Sequence, residues 1–301
     1  MKLITLTLCP AFDLHCYTET FQPYHENLAE VTDFAAGGKG INIARALSAN
    51  GIAAKAIVLL GEENHAAFEA LLGSYGVDYL AIPVPGRIRE NITLHEAKQN
   101  ETRISFPGGT VKPDALEKVE ASLSDLAAGD IVTLTGRVAE GMDMGDVKAL
   151  CGRLKTRGVR LVVDSRSFTL EDLLDVKPWL IKPNEEEISA YLGKEVSSLI
   201  EVKDAAKALA AKGIENVMVT LGERGACLAC EAGFFEVTAP KIQAISTVGA
   251  GDSAIAGFLA ATLEGASPLD CLKRSVAYGS AACLLRGTQP PRREDVERFL
   301  G

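Results

Sequence analysis

Apolar and polar positions alternate between two periods along most of this chain. Leu3 to Leu8 interleaves apolar residues with threonine, which predicts a strand. Residues 40–50 follow a helical period, with Ile41, Ala44, Leu47 and Ser48 near one face and Gly51 as the stop. Strands are then predicted over 54–60, 130–135, 159–164, 179–182 and 216–221. Helices are predicted over 64–75, 112–126, 142–157, from Glu185, over 202–212, 251–264 and 268–285. The strands are continuous apolar runs rather than strict alternations, as in a parallel sheet buried on both faces. The expectation is a layered α/β/α fold with a mainly parallel sheet and helices on both sides.

Two segments break the pattern. About 12–36 and 87–107 carry strand-like pieces with no helix after each; in the second, Lys98-Gln99-Asn100 reads as a hairpin turn. Both leave the core at strand ends, so they are expected to form a small separate sheet over the ligand crevice, a lid inserted in one domain spanning 1–301. No repeat or flexible linker divides the chain.

Composition narrows the partners. A net charge of −9 without a basic stripe argues against nucleic acid, yet leaves room for a phosphorylated small molecule in a locally positive pocket. The seven cysteines are odd in number and irregular in spacing, and read as buried thiols. Cys227-x-x-Cys230 lies in a predicted strand, where that spacing sends the two thiols to opposite faces. No stretch resembles a signal-peptide core or a bilayer span, so a cytoplasmic protein without a membrane partner is expected.

Four short runs carry candidate chemistry. Gly249-Ala250-Gly251-Asp252 opens a long helix, where small residues and free N–H groups suit an anion. Asp252 there reads equally as a helix cap or as a base beside that anion. The run also fits G-x-G-x-x-A, but helix follows helix, so a dinucleotide fingerprint is a poor reading. Gly37-Gly38-Lys39-Gly40-Ile41-Asn42 opens another helix; its glycines, cation and amide suit a sugar or sugar phosphate. Asn184 and Glu187, within Lys182-Pro183-Asn184-Glu185-Glu186-Glu187, share a helical face and offer oxygens to Mg²⁺, or simply make an acidic first turn. Thr220-Leu221-Gly222-Glu223-Arg224-Gly225-Ala226 is a glycine-bracketed loop after a strand, able to lie along a nucleotide.

In this order and separation the four runs resemble the ribokinase-like (PfkB) carbohydrate kinases, in their phosphosugar branch, over nearly the whole chain from Cys9-Pro10-Ala11-Phe12-Asp13 onward. The resemblance implies ATP-dependent phosphorylation of a ketohexose phosphate to the bisphosphate, with Mg²⁺. It implies Asp252 as the catalytic base and Gly249, Ala250 and Gly251 as the anion hole. It implies Asp13, Gly37, Gly38, Lys39 and Asn42 as sugar contacts. Arg89 and, less closely, Arg103 stand where the sugar's own phosphate is read. Lys182, Asn184 and residues Thr220, Leu221, Gly222, Glu223, Arg224, Gly225 and Ala226 are implied nucleotide contacts, and Asn184 and Glu187 the pair that organises Mg²⁺. The lid implies a homodimer. Two departures stand out. Cys9 replaces a customary Asn, and Thr135-Gly136-Arg137-Val138-Ala139 replaces Ser-Gly-Ser-x-Pro, offering Arg137 as an extra phosphate contact. Fructose 1-phosphate and tagatose 6-phosphate are the acceptors implied. A kinase for an unphosphorylated sugar or nucleoside, and a non-catalytic sugar-phosphate sensor, are the alternatives.

Overall fold

The computed structural model describes residues 1–97 and 101–300. The hairpin turn expected at Lys98–Asn100 lies outside the described residues.

The chain begins with β1 (Leu3–Thr7) and passes at once into β2 (Ala11–Thr18) and β3 (Glu30–Gly37), then α1 (Lys39–Ser48). β4 (Lys55–Gly61), α2 (His65–Ser74) and β5 (Asp78–Val84) follow, and then β6 (Arg89–Glu96) and β7 (Glu101–Ser105). The alternation continues with α3 (Asp114–Ser122), β8 (Ile131–Thr135), α4 (Met144–Thr156), β9 (Arg160–Asp164), α5 (Leu170–Val176), β10 (Leu180–Ile181), α6 (Glu185–Leu192), α7 (Leu199–Ala211) and β11 (Asn216–Thr220). β12 (Ala226–Cys230), β13 (Gly233–Val237), α8 (Ala250–Leu263) and α9 (Pro268–Ala282) complete what the site requires.

Nine strands form one sheet in the order β13-β12-β11-β10-β9-β8-β1-β4-β5. It is parallel from β11 to β5 and antiparallel only at β12 and β13. Successive strand residues enter opposite layers: Leu3, Ile131, Val162 and Met218 join α8 and α9, while Ile4, Val132, Leu161 and Val217 join α4 and α7. Burial on both faces explains the unbroken apolar runs. The same geometry separates the C-x-x-C pair, with Cys227 in one layer and Cys230 against the other.

The two interrupted segments do build one small four-stranded sheet, in the order β3-β2-β6-β7. β2 leaves the carboxyl end of β1 and β3 returns into the start of α1, while β6 and β7 lie between β5 and α3. One face carries an apolar row across all four strands: Phe34 opposes Leu14, Leu14 opposes Ile92, and Ile92 opposes Ile104.

Several elements differ from expectation at their ends. α3 covers Asp114–Ser122 rather than 112–126, and α7 starts at Leu199, because Ser198 and Glu201 form a capping box ahead of its first apolar residue. β5 was not expected. It carries Pro83 and three exposed positions, which only an edge strand tolerates.

Candidate active site

The carboxyl ends of β1, β8, β9, β10 and β11 face the starts of α1 and α8, and the four runs meet there. α8 opens at Gly249, in left-handed conformation (φ 79°), with no side chain capping it. Asp252 sits inside the first turn and is 6% exposed. Its carboxylate accepts a 2.8 Å hydrogen bond from Asn42 Nδ2 on α1, so it does not cap its own helix. The amides of Gly249 and Gly251 have no intramolecular acceptor among the described residues, whereas that of Ala250 makes a long turn bond to Thr247 O (3.3 Å). A helix start of this kind presents positive dipole and free donors to an anion.

Two lysines and a second carboxylate complete this end. Lys39 Nζ lies 2.8 Å from Asp164 Oδ2, and Lys182 Nζ lies 3.7 Å from the same oxygen. Asp164 was not anticipated from the sequence, although an acid closing an apolar parallel strand is the available signal. Burial works against its charge, but Lys182 and Lys39 hold its carboxyl below the ordinary value. Burial likewise works against the Lys39 ammonium, and Asp164 and Asp252 outweigh it, so that group is raised. Asp252 goes the other way. Burial pushes it up to about 6, against the pull of Lys39 and the Asn42 hydrogen bond, and with added repulsion from Asp164. Lys182 is 5% exposed and reaches the anion site: a Cβ on Gly251 would lie 3.2 Å from its Nζ.

A second group forms on β2, β3 and β6. Asp13 accepts a 2.8 Å hydrogen bond from Asn91 Nδ2, a contact the sequence did not signal. Arg89 Nη1 donates to Asn91 Oδ1 at 3.3 Å and to Phe106 O at 3.2 Å, and its Nε is buried without a partner. Burial raises Asp13, tempered by Asn91, Arg103, His15 and Arg89. Gly37 makes room for this carboxylate, since a Cβ there would stand 1.9 Å from Asp13 Oδ2. Gly38 continues the chain into α1, so the Asp13 group and the Asp252 group are joined by three residues of backbone. Lys39 therefore belongs with Asp164 and Asp252, not with Arg89 and Arg103. Arg137 is exposed on the loop whose Gly136 approaches the Lys39 side chain.

The third part is a groove of about 1080 Å³ lined by Asn184, Thr220, Gly222, Arg224, Thr247 and Gly251, among others. Glu223, Gly225 and Ala226 also line it, whereas Leu221 is 4% exposed and packs beneath the loop in the core. Arg224 pairs with Glu185 at its rim. Gly251 belongs to both this groove and the anion site, so a nucleotide laid in the groove would point its phosphates at α8. A second groove, of about 800 Å³, lies at the opposite ends of the strands by Asn216 and Cys230, and contains none of these residues.

Asn184 and Glu187 cap α6 reciprocally: Glu187 N donates to Asn184 Oδ1 at 2.8 Å and Asn184 N to Glu187 Oε2 at 3.1 Å. Arg166 Nε donates to the other Glu187 oxygen at 3.3 Å. Each of these oxygens keeps a lone pair. Hard oxygens already held once fit Mg²⁺ bound through its water shell, which that ion keeps readily. Among the described residues no cluster of three or more His, Cys, Asp or Glu residues is arranged to hold a metal directly.

A buried carboxylate at a helix start, between a polar pocket and a groove large enough for a nucleotide, suits a phosphotransferase acting on an alcohol. Comparison with known proteins gives the class its family. Residues 4–295 match the pfkB family carbohydrate kinase description, and the chain belongs to that family. It is 35% identical to the 1-phosphofructokinase of Vibrio cholerae over 85% of this chain and 81% of that one. It is 32% identical to the 1-phosphofructokinase of Escherichia coli K12, over 93% and 90%. The crystal structure of phosphofructokinase-2 from Escherichia coli in complex with substrates and products superposes with a TM-score of 0.93 at 28% identity, covering 99% and 98%. ATP is the phosphate donor that the family implies.

Proposed function

We propose that this enzyme transfers the γ-phosphoryl group of ATP to a hydroxyl of a ketohexose phosphate, giving the bisphosphate, with fructose 1-phosphate ahead of tagatose 6-phosphate as acceptor. The observation that carries this reading is the placement of Asp252: buried, held by Asn42, beside Lys39, and in the first turn of the helix that faces the groove. With a pKa near 6 it is ionised at neutral pH, yet more basic than an exposed aspartate. It orients the acceptor hydroxyl and takes its proton as the new P–O bond forms and the bond to ADP breaks. The Gly249 and Gly251 amides, with Lys182 and Lys39, stabilise charge on the transferred group. Mg²⁺, when held by Asn184 and Glu187 through water, supplies further charge neutralisation on the ATP phosphates.

Asp13 and Asn91 take sugar hydroxyls, and Arg89 and Arg103 meet the phosphate that the sugar already carries. Lys39 stands with Asp164 near the start of α8, so that phosphate is left to the arginines. The small sheet acts as a lid that excludes water and limits ATP hydrolysis. Its apolar row is only partly covered, with Phe34 44% and Ile104 46% exposed, which favours a homodimer through this sheet. Gel filtration at the monomer mass would count against it. We place the enzyme in the cytoplasm, where its seven free thiols stay reduced.

ADP release with Mg-ATP, measured across fructose 1-phosphate, tagatose 6-phosphate, fructose 6-phosphate, fructose and ribose, tests the reading. Turnover of a phosphorylated ketohexose alone is expected. Turnover of a free sugar alone removes the role given to Arg89 and Arg103.

A further inference from the structure

A row of titratable side chains crosses all four strands of the small sheet on one face: Asp33 on β3, His15 on β2, His95 on β6 and Glu101 on β7. His15 opposes Asp33 in register, and His95 opposes Glu101. His15 Nδ1 and His95 Nε2 are 3.2 Å apart, and the rings stack 5.5 Å apart at 11°. His95 Nδ1 lies 3.9 Å from Glu101 Oε2. At the other end of the row, His15 Nε2 and Asp33 Oδ2 both face Gly287, in the turn after α9; a Cβ there would lie 3.6 Å and 3.3 Å from them. His15 is buried and His95 half-buried. The other charged groups near the pair are Asp13 on β2, which acts on His15, and Arg103 on β7, whose cross-strand partner Thr93 is also that of His15.

Counting N–H groups sets the chemistry. Two neutral imidazoles carry two N–H groups, and one is used between the rings. The other can serve the Asp33 side or the Glu101 side, never both. One added proton supplies all three positions. We propose that His15 and His95 share one such extra proton, placed on His95, and that this charge makes the small sheet a pH-dependent part of the sugar-phosphate site. His95 then donates from both nitrogens, to His15 Nδ1 and towards Glu101. His15 stays neutral, with its own hydrogen on Nε2 on the Asp33 side. Burial first, and then the His95 charge, hold His15 below its ordinary value, against the opposite pull of Asp13, Asp33 and Glu101.

The consequence rests on the reading that the acceptor is a sugar phosphate. The His95–Glu101 pair stands two residues from the Thr93–Arg103 pair on the same face, about 7 Å along the strands. That is within the Debye length of about 8 Å at physiological salt. A proton held in the row adds a cation to the face that carries Arg103, and so strengthens attraction for a phosphate dianion. At about 7 Å in a water-like medium at physiological salt, the screened Coulomb gain is about 1.5- to twofold in affinity.

Imidazole nitrogen NMR on the intact protein tests this without substrate, so its outcome is independent of the kinase reading. The chain has four histidines, which single His→Gln variants assign. Between pH 8.5 and 5.5 the expected result is one proton entering the pair on His95, with His15 Nδ1 remaining an acceptor, and loss of that pattern in His95→Gln. Direct protonation of His15 over this range, or a His15 titration unaffected by His95→Gln, overturns the proposal. The kinetic arm compares KM for fructose 1-phosphate at pH 8 and 6.5. At physiological salt wild type should gain about 1.5- to twofold relative to His95→Gln. Equal pH dependence in both proteins overturns the coupling to substrate.

Discussion

Asn42 Nδ2 donates to Asp252 Oδ2 across 2.8 Å, tying the start of α1 to the first turn of α8. Asn42 was expected to touch sugar. Its observed partner is Asp252, the proposed base, and its own Oδ1 is buried without a partner among the described residues. The bond favours the ionised carboxylate, against a burial that pushes Asp252 up to about 6. Asn42→Ala removes that support, so the folded-state pKa rises further. The acid limb of the kcat profile, expected near pH 6 in wild type, should move to higher pH in the variant, with activity near pH 9 affected least. An unmoved limb would show that Asp252 is not the titrating base.

Asp164 answers to two cations with one oxygen. In Asp164→Ala, Lys182 keeps its burial and loses its carboxylate, as does the better-solvated Lys39. Removing one member of a buried pair costs about 3–5 kcal/mol. Urea denaturation should report a loss of that order; a loss under about 1 kcal/mol would mean that water already neutralises the lysines.

Gly37 sets the position of Asp13. Gly37→Ala places a methyl group where the Asp13 carboxylate now stands, so the carboxylate must turn away from Asn91. KM for the sugar substrate should rise by at least about tenfold, the equivalent of losing one charged hydrogen bond. KM for ATP should hold, because the groove is lined by other elements. Equal changes in both would indicate general disruption of the fold.

How much of this was legible in the sequence depended on how local each signal is. The parallel core was readable because strands buried on both faces lose most of their polar positions, as in Ala56–Leu60 and Leu161–Val163. β5 was missed because its outer positions are exposed and Pro83 argues for a turn. α5 was missed because seven residues give too little period to recognise. The G-A-G-D and G-G-K-G-I-N runs located the site, since close backbone approach demands small residues next to one another. Their pairings were not local. Asn42 meets Asp252 across 210 positions, and Lys39 meets Asp164 across 125, so partners fixed by sheet order were invisible to a reading along the chain. The same reason hid the pairing of Lys39, expected as a sugar contact, with Asp164 and its nearness to Asp252.

The most direct test of the central claim is kcat for Asp252→Asn beside wild type, with Mg-ATP and the best acceptor from the substrate panel. Asparagine keeps an oxygen to accept from Asn42 and removes the proton acceptor, so the fold should hold and its thermal midpoint should not fall. A loss of about 10²- to 10⁴-fold in kcat is expected, with KM for sugar and ATP little changed. A variant that keeps wild-type kcat would contradict the assignment of Asp252 as the base.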